Sequence, residues 1–197
     1  MKIDWTLPAS RKGWLGQVDK LIGPGATTAE KIIQFFPAFL AVAAVVGFAL
    51  YNNYAWTLPQ YLVASYLALD MVGGILTNLT SAAKRWYFRE GTGFKAHMAF
   101  VAVHGVQISL ASFFFLDFDI IWIGLVYGFL LISSAVILST PLYLHRPMAG
   151  VFFSIGLILS IYVFKSPEHL EWLLPLLFCK LLLCRIVREE PYRPEPE

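Results

Sequence analysis

The chain has 197 residues, of which 58% are hydrophobic and 14% are charged, and its formal net charge is +2. Soluble domains are roughly 45–50% apolar and about 25% charged, so this composition excludes a water-soluble fold. The apolar residues are also concentrated into long windows, which indicates an integral membrane protein.

Residues 1–33 are predicted to be a cytoplasmic lead-in to the membrane domain. Their apolar residues recur near helical spacing: Trp14, Leu15, Val18, Leu21 and Ile22. This spacing predicts an amphipathic helix in the headgroup layer, with an ordinary polar segment as the alternative. Thr27 or Thr28, followed by Glu30, offers an N-cap for the first membrane helix. The lead-in contains no apolar core of signal-peptide length, so we expect the first span to act as its own targeting signal.

Six long apolar stretches follow and form a predicted transmembrane domain over residues 34–187. Each is close to the ~20 residues that a helix needs to cross a ~30 Å hydrocarbon core. The stretches are continuously apolar and lack the alternation of barrel strands, so we predict an all-α polytopic bundle of about six transmembrane helices. The predicted spans are residues 34–54, 58–81, 97–115, 120–140, 147–164 and 169–187.

The distribution of lysine and arginine predicts the orientation of the bundle. Basic residues fall in the N-terminal segment, the second and fourth connections and the C-terminal tail, all on one side. The first connection has none, and the only charged residues of the third are Asp117 and Asp119. Lys165, in the fifth connection, goes against the bias. The positive-inside rule therefore predicts that both termini are cytoplasmic, and we expect a plasma (inner) membrane location.

The last ten residues, 188–197, are polar and rich in proline and glutamate. Such a segment is expected to be disordered or to bind a partner. Just before it, Cys179 and Cys184 lie five residues apart. On a regular α-helix this spacing places them on different faces, which suits neither a disulfide nor a zinc site. We interpret both cysteines as packing residues.

Asp70 is the first candidate functional residue, because it lies near the middle of the second predicted span. An ionised carboxylate there costs at least ~2.5–3.5 kcal/mol on insertion scales, so it must face the bundle interior, pair or be protonated. Gly74, Thr77 and Asn78 follow it at helical spacing and extend a small, polar stripe. The stripe predicts either a cavity lining or a close helix contact.

The third predicted span carries a matching stripe of His97, His104 and Gln107. His104 reaches a depth comparable with Asp70, and the short connection makes the two spans antiparallel neighbours. An Asp70–His104 pair would be a proton site, or would orient a metal-binding imidazole. The alternative is a structural contact that holds the helices in register.

Lys180, in the sixth predicted span, is the last candidate at this site. Its long side chain is expected to extend to the membrane interface; the alternatives are an ion pair with Asp70 or a role in binding an anionic group. A separate basic aromatic cluster follows the second span and is predicted to contact anionic lipid at the interface. Its members are Lys84, Arg85, Trp86 and Arg89.

Three function classes fit these features, and the sequence slightly favours the first. The protein is a transporter or the membrane subunit of a transport system, an intramembrane enzyme acting on a lipid-like substrate, or a non-catalytic subunit or assembly factor. We expect no metal site, because His97 and His104 lie ~10 Å apart along the helix. No cofactor is indicated. The expected partners are the lipid bilayer and either further copies of the chain or other membrane subunits, without nucleic acid.

Overall fold

The computed structural model describes residues 1–193. Five helices in this range are long and apolar enough to cross a membrane. They are α2 (Thr28–Tyr51), α3 (Leu58–Leu79), the continuous pair α5 (Phe94–Val103) and α6 (Gly105–Phe115), α7 (Ile120–Ser139), and α8 (His145–Tyr162) with the 3₁₀ turn Leu142–Leu144 before it. The prediction of an all-helical membrane bundle is confirmed at this level, and the chain is an integral membrane protein.

The first membrane helix begins at a capping box, six residues before the predicted apolar span 34–54. The Thr27 side chain accepts a hydrogen bond from the backbone of Glu30, and the Glu30 carboxylate accepts one from the backbone of Thr27. This reciprocal pair satisfies two donors that the helix itself leaves open. The cap predicted from the sequence therefore sets the start of α2.

The sixth predicted span, residues 169–187, does not form a membrane-length helix. It forms α9 (Leu173–Phe178) and a π-helix (Cys179–Arg185), which together pack against α3 and α8, while the π-helix also contacts α7. Leu170, Leu174 and Leu181 are completely buried there. A segment that is apolar all round is suited to a site enclosed on every side.

The π-helix changes the side-chain alignment that a regular α-helix would give. Its i to i+5 hydrogen bonds widen the turn, so residues five apart lie closer together than they would on a regular α-helix. The sulfur atoms of Cys179 and Cys184 consequently lie 3.9 Å apart. This corrects the expectation that the two cysteines occupy different faces.

The short elements lie at the basic end of the bundle. The helix α1 (Trp14–Ile22) is the amphipathic segment of the lead-in, and α4 (Ser81–Tyr87) follows α3. The Tyr87 hydroxyl donates to the Leu21 carbonyl at 2.6 Å, and the Gln34 amide donates to the Ile22 carbonyl at 3.2 Å. These bonds hold α1 over the ends of α2 and α4.

The two ends of the described chain also meet on this side. The strands β1 (Lys2–Ile3) and β2 (Tyr192–Arg193) pair antiparallel, and the Trp5 indole donates to the Glu190 carboxylate at 3.0 Å. Residues 188–193 are therefore held against the N-terminal segment, which differs from the disorder predicted for them. The rest of the predicted tail, residues 194–197, lies outside the described residues.

Candidate functional site

Asp70 pairs with Lys180 inside the bundle. The Lys180 Nζ lies 2.7 Å from Asp70 Oδ2, with the lysine side chain 3% exposed and the aspartate side chain 25% exposed. Because the last apolar segment is enclosed, Lys180 does not extend to the membrane interface as the favoured interpretation expected. It takes the position by Asp70 that was predicted for His104.

Gly74 makes room for this ion pair. A Cβ atom at Gly74 would lie 2.3 Å from Lys180 Cε and 2.9 Å from its Nζ. The lysine side chain therefore lies directly across the backbone of α3, one helical turn after Asp70 in the sequence. Glycine occupies this place in the predicted polar stripe because a larger residue would overlap the Lys180 side chain.

Neutral polar groups complete the surroundings of the ion pair. The Gln107 amide donates to Asp70 Oδ2 and to the Tyr66 hydroxyl, both at 3.2 Å. The Asn78 amide donates to the Lys180 backbone carbonyl at 3.5 Å. Four of the predicted residues are thus in one hydrogen-bonded group, and Tyr66 joins them. Tyr66 was missed, although it lies one helical turn before Asp70 on the same face.

His104 lies at a break between α5 and α6. Its Nδ1 is 2.8 Å from the Phe100 carbonyl, which can only accept, so Nδ1 carries the proton. In the neutral ring, Nε2 is then a hydrogen-bond acceptor and a potential base. The Ala102 carbonyl, beside the break, accepts from the Tyr127 hydroxyl at 2.8 Å. The break is therefore stabilised by side-chain hydrogen bonding.

These side chains line one cavity of about 340 Å³, here called the Asp70 cavity. It is bounded by α1 to α6 and by the π-helix. The polar lining residues are Gln34, Tyr66, Asp70, Thr77, Asn78, Tyr87, His104, Gln107 and Lys180. The apolar ones include Leu21, Phe35, Phe39, Leu69 and Phe100. The volume lies within the range of small-molecule sites, at roughly 300–1,000 Å³.

The helices are closely packed beyond the cavity, toward the other membrane face. Ala64 and Leu67 of α3 and Ile108 and Ala111 of α6 are at most 1% exposed. The cavity is therefore a pocket in the half of the bundle near the basic end. It does not continue as a polar channel between α3 and α6.

The predicted His97 site lies elsewhere. His97 is 4% exposed and lines a second cavity beside Arg185, Trp86 and Arg89, away from Asp70. Its Nδ1 is buried without a hydrogen-bond partner. The structure thus divides the predicted histidine stripe between two cavities, with His104 in the first and His97 in the second.

The predicted lipid-contact cluster is also divided. Lys84 and Arg85 are 2% and 1% exposed, so they point into the protein and not to lipid. Lys84 Nζ donates to the carbonyls of Cys184 at 2.7 Å and Val187 at 2.6 Å, at the end of the π-helix. Burial lowers the pKa of Lys84, while the charge of Glu189, 3.5 Å away, opposes that shift. Trp86 and Arg89 remain partly exposed.

Lys84 fills an interior position because the carbonyl groups at the end of the π-helix accept hydrogen bonds from it. Arg85 Nη1 donates to the Thr6 carbonyl at 3.1 Å. Both side chains therefore join α4 to segments distant in sequence. The composition of a basic cluster beside a membrane span does not show whether its side chains join protein segments in this way or contact lipid.

Within residues 1–193, no group of three or more His, Cys, Asp and Glu side chains lies close enough together to hold a metal ion. The chemistry available in the Asp70 cavity is that of an ion pair, a neutral imidazole, three amides and three hydroxyl groups. No protein-family model, curated protein or solved structure matches the chain.

Proposed function

We propose that this integral membrane protein binds a small amphipathic molecule in the Asp70 cavity, as a transporter or the membrane subunit of a transport system. One observation carries the proposal: the Asp70–Lys180 ion pair borders an open cavity whose other walls are largely apolar. Ionisable groups at membrane depth are expensive, and those that are retained there mark ligand sites by default. A cavity with both kinds of wall suits a molecule with both kinds of surface.

The unused hydrogen-bonding groups indicate the polar part of that molecule. Asp70 Oδ1 has no partner among the described residues, and His104 Nε2 is left as an acceptor by the bond at Nδ1. Both groups accept, so they favour a ligand with donors, such as an ammonium or hydroxyl group. The Phe35, Phe39 and Phe100 rings would contact its apolar part.

In transport, the closed half of the bundle would have to open. The packing of α3 against α6 beyond Asp70 is made by small and apolar residues, including Ala64 and Ala111. Few polar contacts would be broken if these helices separated there. The Asp70 cavity would then be the state that is accessible from the basic end. We further propose that this end faces the cytoplasm and that the membrane is the plasma membrane.

Native mass spectrometry of the full chain, extracted gently from its own membrane, tests the binding proposal. The informative variant is the double substitution Asp70→Asn with Lys180→Met, which removes both charges and leaves neither unpaired. We expect a bound small molecule in the wild type and its loss in this variant. The matched control is Arg11→Gln with Asp19→Asn, which removes an ion pair whose two side chains do not line the cavity.

Two outcomes would contradict the proposal. If the wild type carries no small molecule, or if the double variant retains it, the cavity is not the binding site. A stable complex with other chains and no ligand would support the non-catalytic subunit.

His104 favours a second candidate, an intramembrane enzyme acting on a lipid-like substrate. A neutral imidazole with a free Nε2, fixed by its bond to Phe100 and lining the Asp70 cavity, is suited to act as a general base. If His104 acts as this base, the His104→Gln variant should still carry a bound molecule, but its mass should differ from that of the molecule bound to the wild type. Identical masses would contradict an enzymatic role for His104.

A further inference from the structure

Arg185 is a buried cation without a carboxylate partner. It is 6% exposed, and its Nε and Nη1 have no hydrogen-bond partner. Its guanidinium carbon lies 3.5 Å from the centre of the Tyr87 ring and 3.9 Å from that of Phe100. Over residues 1–193, no carboxylate lies within ion-pair distance of it.

Arg185 lines the second cavity, of about 370 Å³, here called the Arg185 cavity. Its walls come from α4, α5, the loop between them and the end of the π-helix. The lining side chains that bear polar groups are Trp86, Tyr87, Arg89, Thr92, His97 and Arg185. His97 Nδ1, like the two Arg185 nitrogens, is buried without a partner. Three orphaned nitrogens on two side chains thus belong to one cavity.

This arrangement is complementary to an anion. A buried, unpaired guanidinium is costly, and aromatic faces compensate only a part of that cost. Arg89 adds a second positive charge; its guanidinium stacks on Trp86 at 3.8 Å and donates to the Trp86 carbonyl. Arginine's planar set of donors is well suited to phosphate oxygens.

We propose that the Arg185 cavity binds the phosphate of an anionic phospholipid from the leaflet at the basic end. The lipid is favoured over a soluble phosphate because the cavity is continuous with the lipid-facing surface. Val103, which lines it, is 62% exposed. The same residue lines an apolar groove of about 660 Å³ between α5, α6 and α7. The inner part of this groove, against Ala102, Val103 and Val106, receives an acyl chain.

This inference does not depend on the proposed function. The Asp70 cavity and the Arg185 cavity share Tyr87 and Phe100, and their other lining residues are different. Lys180 and Asp70 do not line the Arg185 cavity. A failure of either proposal therefore leaves the other standing, and variants of the two cavities separate them.

The test reconstitutes the full chain in nanodiscs of phosphatidylcholine with a minority of phosphatidylglycerol. Native mass spectrometry then measures which lipid stays bound after release from the disc. We expect phosphatidylglycerol to be retained about tenfold over its share of the bilayer, a preference that Arg185→Gln and His97→Gln abolish. Lys95→Gln is the matched control, because it removes an exposed positive charge from α5 and lies outside the cavity.

A second variant covers the case in which Arg185→Gln fails to fold. Ala96 lines the cavity and is exposed, so Ala96→Trp fills the cavity without changing a charge and should abolish the preference. Equal retention of phosphatidylglycerol by the wild type and Ala96→Trp would overturn the proposal. In a second arm, inorganic phosphate is added to discs of phosphatidylcholine alone. Thermal stabilisation by it, equal to that given by phosphatidylglycerol, would assign the site to soluble phosphate and overturn the lipid assignment.

Discussion

Lys180 and Arg185 are buried cations on the same π-helix, five residues apart, yet their surroundings differ. Lys180 has a carboxylate at 2.7 Å, whereas Arg185 has two aromatic rings and no carboxylate within ion-pair distance among residues 1–193. The fold itself neutralises the first charge and leaves the second for a molecule outside the chain. Burial of Lys180 therefore reflects an ion pair within the chain, whereas burial of Arg185 leaves a charge that the chain does not neutralise.

The same difference separates the two histidines of the third predicted span. His104 shares a cavity with the neutralised pair, and His97 shares one with the unpaired arginine. Tyr87 and Phe100 line both cavities. Each charge can therefore be removed by substitution without a change to Tyr87 or Phe100.

The largest effect is expected from Asp70→Asn alone, which leaves Lys180 buried without its carboxylate. Breaking a buried pair costs more than removing both partners, and the partial exposure of Asp70 reduces the loss to about 2–4 kcal/mol. Chemical or thermal unfolding in micelles measures this free energy. The double variant with Lys180→Met should recover to within about 1 kcal/mol of the wild type. Equal losses in the single and double variants would contradict this account of the pair.

A smaller loss is expected from Gly74→Ala, because the added methyl group would overlap the Lys180 side chain. Displacing that side chain from Asp70 should cost about 1–3 kcal/mol in unfolding free energy. Gly128→Ala in α7 is the matched control, since nothing lies within 4 Å of a Cβ there. Helix propensity should make that control neutral or more stable by up to ~1 kcal/mol. If both variants behave alike, Gly74 does not position Lys180.

Arg185→Gln should change stability by less than about 1 kcal/mol in phosphatidylcholine micelles, because it leaves no orphaned carboxylate. The loss of contact with the Tyr87 and Phe100 rings is offset by removal of an unpaired buried charge. The same unfolding assay gives the direct contrast with Asp70→Asn. A loss as large as that of Asp70→Asn would show that Arg185 is neutralised within the chain.

The smallest effect is expected at the reference pair, in which the Arg11 side chain is 48% exposed and the Asp19 side chain 8% exposed. Hydrogen bonds from Arg11 hold the pKa of Asp19 below its ordinary value of 3.8. Since the folded-state pKa is the lower one, the stabilisation is present above that value and is lost as the pH falls through the folded pKa. The protection of the α1 amides against hydrogen exchange, measured relative to the intrinsic exchange rate at each pH, should therefore fall in acid, and Asp19→Asn should remove this pH dependence. An unchanged pH response in the variant would contradict the assignment.

The membrane bundle was largely predictable, because five of the apolar windows do form helices of spanning length. The exception is residues 169–187, which met the same length criterion. A hydropathy window measures how apolar a segment is, and it does not distinguish contact with lipid from contact with protein. A helix in contact with lipid or water has one side that faces that surrounding. A segment enclosed by α3, α7 and α8 has no such side.

That one difference also explains the errors at the site. The stripe of Asp70, Asn78, His104 and Gln107 was predicted from helical spacing, and the structure brings these residues to one cavity. The partner of Asp70 was misplaced because Lys180 was assigned to a span with access to the interface. Lys84 and Arg85 were assigned to lipid because the carbonyl groups and protein interior that surround them belong to segments distant in sequence.

The ion pair imposes an order on biosynthesis, because Asp70 and Lys180 are 110 residues apart. At about 5–20 residues per second, the ribosome adds Lys180 roughly 5–20 s after Asp70. During that interval, α3 must enter the bilayer with a carboxylate that costs at least ~2.5–3.5 kcal/mol at mid-membrane depth. Until translation of the last apolar segment is complete, Asp70 therefore has to be protonated or covered by the other spans, because its Lys180 partner does not yet exist.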